Sequence, residues 1–573
     1  MMKWWGWGDS KVSFPIEHKP NLWPWIEKTL NAKDLPSIPP VARESVRLPE
    51  KRRNDAFLRE LGRSLKESQL SDSDDERLLH AFGKSFPDLF NVRRGVVRRA
   101  PDLVVYPERH DDVEAIVRLA NAHDVCLIPF GGGTNIVGGV NPLDDRRMTV
   151  TLDMARMNRV LSLDERSNTA VIEAGALGPK LEADLAARGF SLGHCPDSFE
   201  YSTLGGWIAT RSAGMQSDAY GKIEDMIVAV RLVTPKGTLE TRPVPASSAG
   251  PDLNRLVAGS EGVLGVITEA TMRVHRLPEA RDYRGVLFHN FEDGVRAIED
   301  LIASGRSASL IRLQDSAETE LAANMKSPKG GLEGFIQHQV KRYLKARGYT
   351  FPAIMVLGLE GEAVHVRRTK KEALAILKRH GGFDLGQSVG VAWQKDKFNV
   401  PYLRDFVMDR GIVCDVAETS APWSKLLDVH RAARAAVLAR FEKEGTPGFI
   451  GCHISHTYKT GACLYFTWAC RMSAGRELEQ YYGYKRLLTE TFLAHGAALT
   501  HHHAVGMEHL PWMRREISAA GVTALSALKA GLDPKGLFNP GKLIPSSDGF
   551  QAAPAVDGAD ELGRAATAGQ ARR

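Results

Sequence analysis

The sequence predicts an α+β protein: a glycine-looped domain of mixed sheets, an α/β cap after it, and a helical extension before it. Three observations carry that prediction. Short apolar runs bounded by turn residues alternate with helical periodicity from residue 101 to about residue 500. Three glycine clusters, at 129–140, 196–214 and 259–268, fall in the first half of that alternation. Ahead of it, Leu58, Leu61 and Leu65, and later Leu78 and Leu79, recur at the spacing of one helix face.

Taken in order, the opening MMKWWGWGDSKVSFP has no apolar core and no small-residue cleavage site, so no signal peptide is expected. Five of the ten tryptophans, Trp4, Trp5, Trp7, Trp23 and Trp25, crowd into the first 25 residues, which predicts packing onto the body. Residues 54–86 read as helical, with DSDDE supplying an N-terminal cap, and residues 1–95 are assigned as the extension. PDLVVYP, DDVEAIVRLANAHD and VCLIPF form a β-α-β unit. Strands at MTVTLD and TAVIEAGA follow, then MIVAVRLVTPKGTLE as a hairpin around Pro235, Lys236 and Gly237, which completes a domain at 96–278. GVLFHNF, PAIMVLGLEG and ACLYFTWAC, separated by amphipathic helices, place the cap at 279–510. Residues 511–545 hold a helix and the turn-rich DPKGLFNPGKLIP, expected to dock near the first domain. Residues 546–573 are rich in Ala, Gly and Asp without apolar period and read as a disordered tail.

Composition narrows function by exclusion. Hydrophobic residues at 43% and charged residues at 25% exclude disorder, collagen and coiled coil as the dominant class. A net charge of +6 from 75 basic and 69 acidic side chains gives no support to a nucleic-acid partner. Six cysteines without a CxxC pair fit a reducing, cytoplasmic setting, and no eighteen apolar residues run together.

The glycine clusters carry the chemistry. PFGGGTNIVGGV holds five glycines in twelve residues directly after an apolar strand. Such a cluster is kept where the backbone needs positive φ or must let a ligand approach, and a phosphate on a nest of N–H groups is the usual ligand. The alternative is a tight hairpin or bulge. PDSFEYSTLGGWIATRSAG adds hydroxyls and Arg211, and GSEGVLGVIT sets glycines before a strand, so the three together point to a dinucleotide site. A Rossmann site needs its glycines to open a helix, whereas here NPLDDRRMTV follows.

PDLVVYPERHDDVEAIVRLANAHDVCLIPFGGGTN, PDSFEYSTLGG and EGVLGVIT resemble the FAD-binding domain of vanillyl-alcohol-oxidase-type flavoproteins. Within that group, KWWGWGDSK, GHCPDSFEYSTLGGWIATRSAGMQSDAYGKIEDM, ETSAPW, SHTYKTGACLYF and LTHHHAVG are similar to the alkyldihydroxyacetonephosphate synthases, from about Lys3 to Leu543. The resemblance implies a non-covalent FAD and exchange of the acyl chain of acyl-dihydroxyacetone phosphate for a fatty alcohol through flavin N5, without net redox. It implies cofactor contacts from Pro129, Phe130, Gly131, Gly132, Gly133, Thr134 and Asn135. The second cluster would add His194, Asp197, Ser198, Phe199, Glu200, Tyr201, Ser202, Thr203, Thr210, Arg211, Ser212 and Ala213, and the third Glu261, Gly262, Val263, Leu264, Gly265, Val266 and Ile267. It also implies that Arg404 binds the substrate phosphate, with Arg312 a second important arginine, that Tyr465 moves a proton beside the ketone, and that His501, His502 and His503 stabilise an enolate or shuttle protons. A zinc cluster of HISH with the triplet is the weaker reading, since no H-E-x-x-H or cysteine pattern accompanies it. Cys195, HHHAVG and FNPGKLIP depart from the family pattern. The last is closer to FAD-linked dehydrogenases of 2-hydroxy acids or related alcohols, which form the alternative function.

One segment bears on substrate delivery. Residues 331–349 place Phe335, Ile336, Val340, Tyr343 and Leu344 near one side of a helix ringed by Lys341, Arg342, Lys345 and Arg347, the pattern of an interfacial helix. The partners expected are a lipid substrate, a membrane surface touched peripherally through 331–349, and a second copy of the chain in a homodimer.

Overall fold

Leu103–Val105, Thr149–Asp153 and Cys126–Phe130 lie side by side in parallel, and the helix His110–His123 makes the crossover such pairing requires. Val113, Ile116, Val117 and Ala120 bury that helix on the sheet. The fourth strand, Leu70–Ser71, breaks the stretch read as helical from 54 to 86. Helices Asp55–Ser64 and Asp74–Leu79 flank it. The break is set by Gln69, whose side chain bonds Lys66 N (3.0 Å), Tyr106 O (3.2 Å) and Asp112 (3.0 Å). The DSDDE cap is present, with Ser73 Oγ accepting from Glu76 N.

The described residues are 2–306, 308–326, 339 and 342–545 of a computed structural model. A second, antiparallel sheet runs Val160–Asp164, Thr169–Glu173, Val266–Arg273, Ile227–Thr234, Gly237–Glu240, the last two joined by the expected hairpin. The third sheet has seven strands, all antiparallel, in the order Phe383–Gly386, Ala280–Phe288, Ala353–Gly361, Leu310–Gln314, Gly448–Tyr458, Gly461–Arg471, Ile412–Pro422. Its strands alternate with period two: Ile454, Leu464, Phe466 and Trp468 enter the core with helices Phe291–Ala303, Trp423–Lys443 and Glu477–Ala494, while His453, Ser455, Tyr465 and Thr467 line a cavity.

Both ends of the described chain are stitched to this frame. Trp7, Phe14, Leu22 and Ile26 pack with Tyr402, Val407, Ile412 and Phe449, so the aromatic N-terminus docks on the cap. Trp7 N donates to Asp405 Oδ2 (2.8 Å), and Lys3 Nζ pairs with the same oxygen (3.5 Å). Near the other end, Leu127 bridges Phe538, and Asp533 accepts from Leu537 N and Phe538 N.

The tail 546–573 and Phe335, Ile336, Val340 and Lys341 lie outside the described residues. Tyr343 is 49% exposed and Leu344 only 9%, so these two do not face outward together as the helical reading had them. Among the described residues no helix is long and apolar enough to cross a membrane. All six cysteines are unbridged.

Candidate active site

The three glycine clusters meet the inner face of the cap sheet around a cavity of about 580 Å³. The first cluster lies against the second. A Cβ on Gly132 would stand 1.6 Å from Tyr201 O and one on Gly131 2.3 Å from Thr203 Oγ1, while Gly133 has φ 64°. Part of this glycine content therefore serves loop-on-loop approach. Asn135 Oδ1 closes the turn by accepting from Val137 N (3.1 Å) and Gly139 N (2.6 Å). Asn539 Nδ2 donates to Gly139 O and Glu261 O, both at 2.8 Å, so the C-terminal FNPG turn ties the first and third clusters together. The wall offers glycine backbone, the hydroxyls of Thr134, Ser198 and Thr210, and Ser260 Oγ, which is buried without a partner. This donor set, on backbone that approaches closely, fits a flavin dinucleotide.

Of the cofactor residues the sequence predicts, 129–135, Asp197, Ser198, Ser202, Thr203, Thr210, Ser212, Ala213, Glu261, Gly262, Gly265, Val266 and Ile267 line the cavity. Seven stand behind or away from the wall. His194 is fully buried, its ring 4.8 Å from Trp207 and Nε2 3.2 Å from Ser212 Oγ, and burial pushes its pKa down to about 3. Phe199 stacks between Trp207 and Phe398. Tyr201 turns its hydroxyl to Tyr402 (2.8 Å). Arg211, at positive φ after the helix Leu204–Thr210, pairs with Glu224. Val263 and Leu264 belong to the core, and Glu200 is not on the wall.

The cap supplies the reactive groups. Arg312, Arg404, Tyr465, His502 and His503 line the cavity, and His501 stands behind with Nε2 2.5 Å from Tyr458 OH. The Nε atoms of Arg312 and Arg404 are buried without partners, and neither guanidinium pairs with a carboxylate among the described residues. Two half-buried guanidinia on one wall, neither with a carboxylate partner among the described residues, invite an anion. Tyr465 is ringed by His453 (4.7 Å between centroids), His503 (5.5 Å) and His502 (5.9 Å). Its hydroxyl has no protein partner among the described residues, and burial, then Asp197 and Asp415, hold it well above the ordinary phenol range, so it remains a phenol. Burial likewise lowers His501, His502 and His503, and Glu418 opposes that shift at each of them.

Motif reading placed Glu261 in the third glycine cluster but missed Glu418, the other carboxylate that builds this wall. Glu418, its side chain wholly buried, accepts from Thr500 Oγ1 (2.6 Å) and from the backbone N–H of His501 (2.6 Å), His502 (3.1 Å) and His503 (3.0 Å). Burial opposes its charge, but the histidine cluster and Thr500 override that and keep it well below the usual carboxylate range. Glu261 anchors the following turn through Val505 N (2.8 Å) and Gly506 N (2.7 Å), and burial pushes it up to about 7. Glu318, His453, Ser455, His456 and Thr467 also line the cavity. Period-two alternation in FIGCHISHTY and CLYFTW was the available signal for His453, Ser455 and Thr467, whereas His456 reaches the cavity at a bulge with φ 57° that alternation does not give. Glu418, Cys463, His501 and His502 bring ligand atoms within 4.8 Å of one another, yet Glu418 and His501 are already committed to the partners above.

Comparison with known proteins agrees with this geometry. The FAD binding domain family matches residues 101–242 and the C-terminal domain of FAD linked oxidases matches 277–543. An alkyldihydroxyacetonephosphate synthase of Dictyostelium discoideum is 40% identical over 95% of this chain and 94% of its own length. That of Trypanosoma brucei brucei is 38% identical over 95% and 92%. A solved alkyldihydroxyacetonephosphate synthase structure superposes with a TM-score of 0.84 at 38% identity, covering 95% of this chain and 99% of the other. A mitochondrial D-lactate dehydrogenase of Arabidopsis thaliana is more distant, at 26% identity over 84% of this chain.

Proposed function

The chain belongs to the alkyldihydroxyacetonephosphate synthase family, and from that membership we propose how its own residues carry the reaction. It is an FAD-dependent enzyme that exchanges the acyl chain of acyl-dihydroxyacetone phosphate for a fatty alcohol, without net redox. The observation that carries the assignment of roles is that Arg312 and Arg404, their Nε atoms buried without partners and neither paired with a carboxylate among the described residues, stand on the same wall as Tyr465 and the histidines.

FAD, when bound along residues 129–135, 197–203 and 260–267, supplies the N5 centre at which the exchange takes place. Arg404, with Arg312, holds the substrate phosphate, a dianion that neutralises both charges. Tyr465, kept as a phenol, hydrogen-bonds a substrate oxygen and moves a proton there. His502 and His503 point neutral imidazoles at the cavity, with His501 fixing His502 through their Nδ1 atoms (2.9 Å), and can stabilise an enolate oxygen. Leu321, Met325, Ile354, Val356, Val389 and Leu403 give the same cavity an apolar wall suited to a hydrocarbon chain and to excluding water. Residues 331–349 are proposed to touch the membrane from which that chain is drawn.

Labelled hexadecanol, incubated with purified protein and acyl-dihydroxyacetone phosphate, is expected to enter the ether product with release of fatty acid and no lasting flavin reduction. Bleaching of the flavin by 2-hydroxy acids under anaerobic conditions, without alcohol incorporation, would favour a dehydrogenase instead.

A further inference from the structure

His453 stands apart from the other histidines on the cavity wall. It projects from the strand Gly448–Tyr458, and its Nδ1 lies 2.9 and 3.1 Å from the two carboxylate oxygens of Glu318. Both side chains are about 95% buried, at 4% and 5% exposure. Glu318 comes from the first turn of the helix Ser316–Asn324 and is held by a second donor, Thr467 Oγ1 (3.1 Å). A carboxylate only accepts hydrogen bonds, and Arg312 Nη2, which only donates, stands farther from the same nitrogen at 3.2 Å, so the closer Glu318 contact assigns the hydrogen to Nδ1. Nε2 is left with its lone pair and no protein partner among the described residues, on a ring that lines the cavity. The other cavity histidines lack this arrangement. His456 Nδ1 is taken by Ser217 Oγ (2.6 Å). His502 and His503 approach Glu418 only to 3.7 and 3.6 Å, and that carboxylate is already filled by four donors.

We propose that His453, oriented by Glu318, is the base that takes the proton from the carbon beside the ketone of bound acyl-dihydroxyacetone phosphate, leaving Tyr465 as the proton donor. The inference deepens the functional reading above and rests on it. In the step, the C–H bond breaks, its electron pair stays on the substrate as an enolate whose charge sits on the ketone oxygen, and the proton forms a new N–H bond at Nε2. The resulting imidazolium keeps its Nδ1–H on Glu318. His453 is then the catalytic residue and Glu318 its positioning residue. The division of labour follows from the two side chains: a buried phenol can give a proton but is a poor acceptor, whereas a neutral imidazole accepts. Burial and then Arg312, whose Nη2 is 3.2 Å from Nδ1, lower the proton affinity of His453, and Glu318 offsets them in part. The groups that face the ring are Glu318 from its helix, Arg312 from the strand Leu310–Gln314, Tyr465 from the strand Gly461–Arg471, Asp197 from the second glycine cluster, and His456 and His502.

The test uses the FAD-loaded enzyme with Glu318→Gln and His453→Gln variants. Glu318→Gln keeps an acceptor for Nδ1–H but removes the charge, so His453 binds its proton less tightly. Because the base works deprotonated, the acidic limb of kcat/KM should move to lower pH, with kcat down about tenfold or more. His453→Gln should lose about 10²- to 10⁴-fold in kcat while binding dihydroxyacetone phosphate normally by calorimetry. A purely structural role would alter flavin content or melting and leave the limb in place. An unmoved limb in Glu318→Gln, or a His453→Gln enzyme within about threefold of wild-type kcat, overturns the proposal. ¹⁵N-histidine spectra of the resting protein read the dyad independently of turnover: the Nδ1–H tautomer of His453 supports it and the Nε2–H tautomer overturns it. A wild-type enzyme that exchanges no alcohol would remove the reaction itself, a failure distinct from the wrong tautomer.

Discussion

Replacing Glu418 by glutamine asks how firmly one buried carboxylate holds the histidine triplet. In Glu418→Gln the oxygen that serves Thr500, His502 and His503 can remain, and the new NH₂ takes the place of the oxygen that accepts from His501 N at 2.6 Å. One charge-assisted hydrogen bond is lost, a donor then faces a donor, and the remaining three bonds lose their charge. A hydrogen bond to a charged group contributes about 1.5–3 kcal/mol and a buried unmet donor costs about 1–3 kcal/mol, so the local loss is about 3 kcal/mol after relaxation. At 1.4 kcal/mol per tenfold, the backbone amides of His501, His502 and His503 should exchange with deuterium roughly a hundredfold faster. Hydrogen-exchange mass spectrometry of the peptide covering residues 499–507 measures this, with the strand Gly461–Arg471 as an internal control. Alcohol exchange should fall with it, because His502 and His503 lose their fixed aim. Unchanged protection of the three amides would refute the anchoring role.

Tyr465→Phe should lower turnover by about 10²- to 10⁴-fold with near-normal flavin content, and a rate equal to wild type would return the side chain to packing alone. Acid precipitation should release all the flavin into the supernatant, since residues 129–140 contain no His or Cys; colour kept on the polypeptide would contradict a non-covalent cofactor. Asp218, buried and accepting from Ile311 N, Thr457 N and Thr457 Oγ1, is pushed up by burial from 3.8 to about 6. A carboxyl raised in the folded state stabilises fully below its unfolded pKa and loses that contribution as pH rises through the folded one. Urea unfolding should therefore show Asp218→Asn gaining on wild type by about 3 kcal/mol between pH 4 and 6 and by nothing further above pH 7; a constant gap would disprove the shift. The protein should sediment with anionic liposomes at low salt and be released by high salt, and Phe335→Ser with Ile336→Ser should abolish binding; a double variant that binds as well as wild type would move the contact elsewhere.

What the sequence revealed and what it hid divide along a physical line. Glycine loops and strand runs are local, and their cost or periodicity is visible in a window of ten residues. Tyr465 came from the family resemblance, and the alternation of its strand, which sets Thr467 on the same face, agrees with its place on the cavity wall. Glu318 was hidden because Asp315-Ser-Ala-Glu318 reads as a capping box, which already accounts for an acid at that position; Asp315 does cap Glu318 N, but the Glu318 side chain turns to His453 instead. Glu418 and Asp218 accept from residues more than 80 positions away, and no local pattern marks a carboxylate whose donors come from distant backbone. His194 and Phe199 belonged to a motif that does border the cavity, but backbone geometry turns their rings into the core beside Trp207.

The docking of the aromatic N-terminus on the cap fixes an order of events during synthesis. Trp7 reaches Asp405, next to Arg404, across 398 residues. At elongation rates of about 5–20 residues per second, the first tryptophans leave the ribosome roughly 20–80 s before their partner helix exists. For that interval an aromatic cluster waits in water, a natural client for chaperones that bind nascent chains. The first sheet waits longer still, since Leu127 cannot meet Phe538 until residue 538 has been made. Neither Arg404 nor the strand that leads into the first glycine loop is fully braced until these distant pairs have been made, so a competent cavity waits on residues about 400 positions further along the chain.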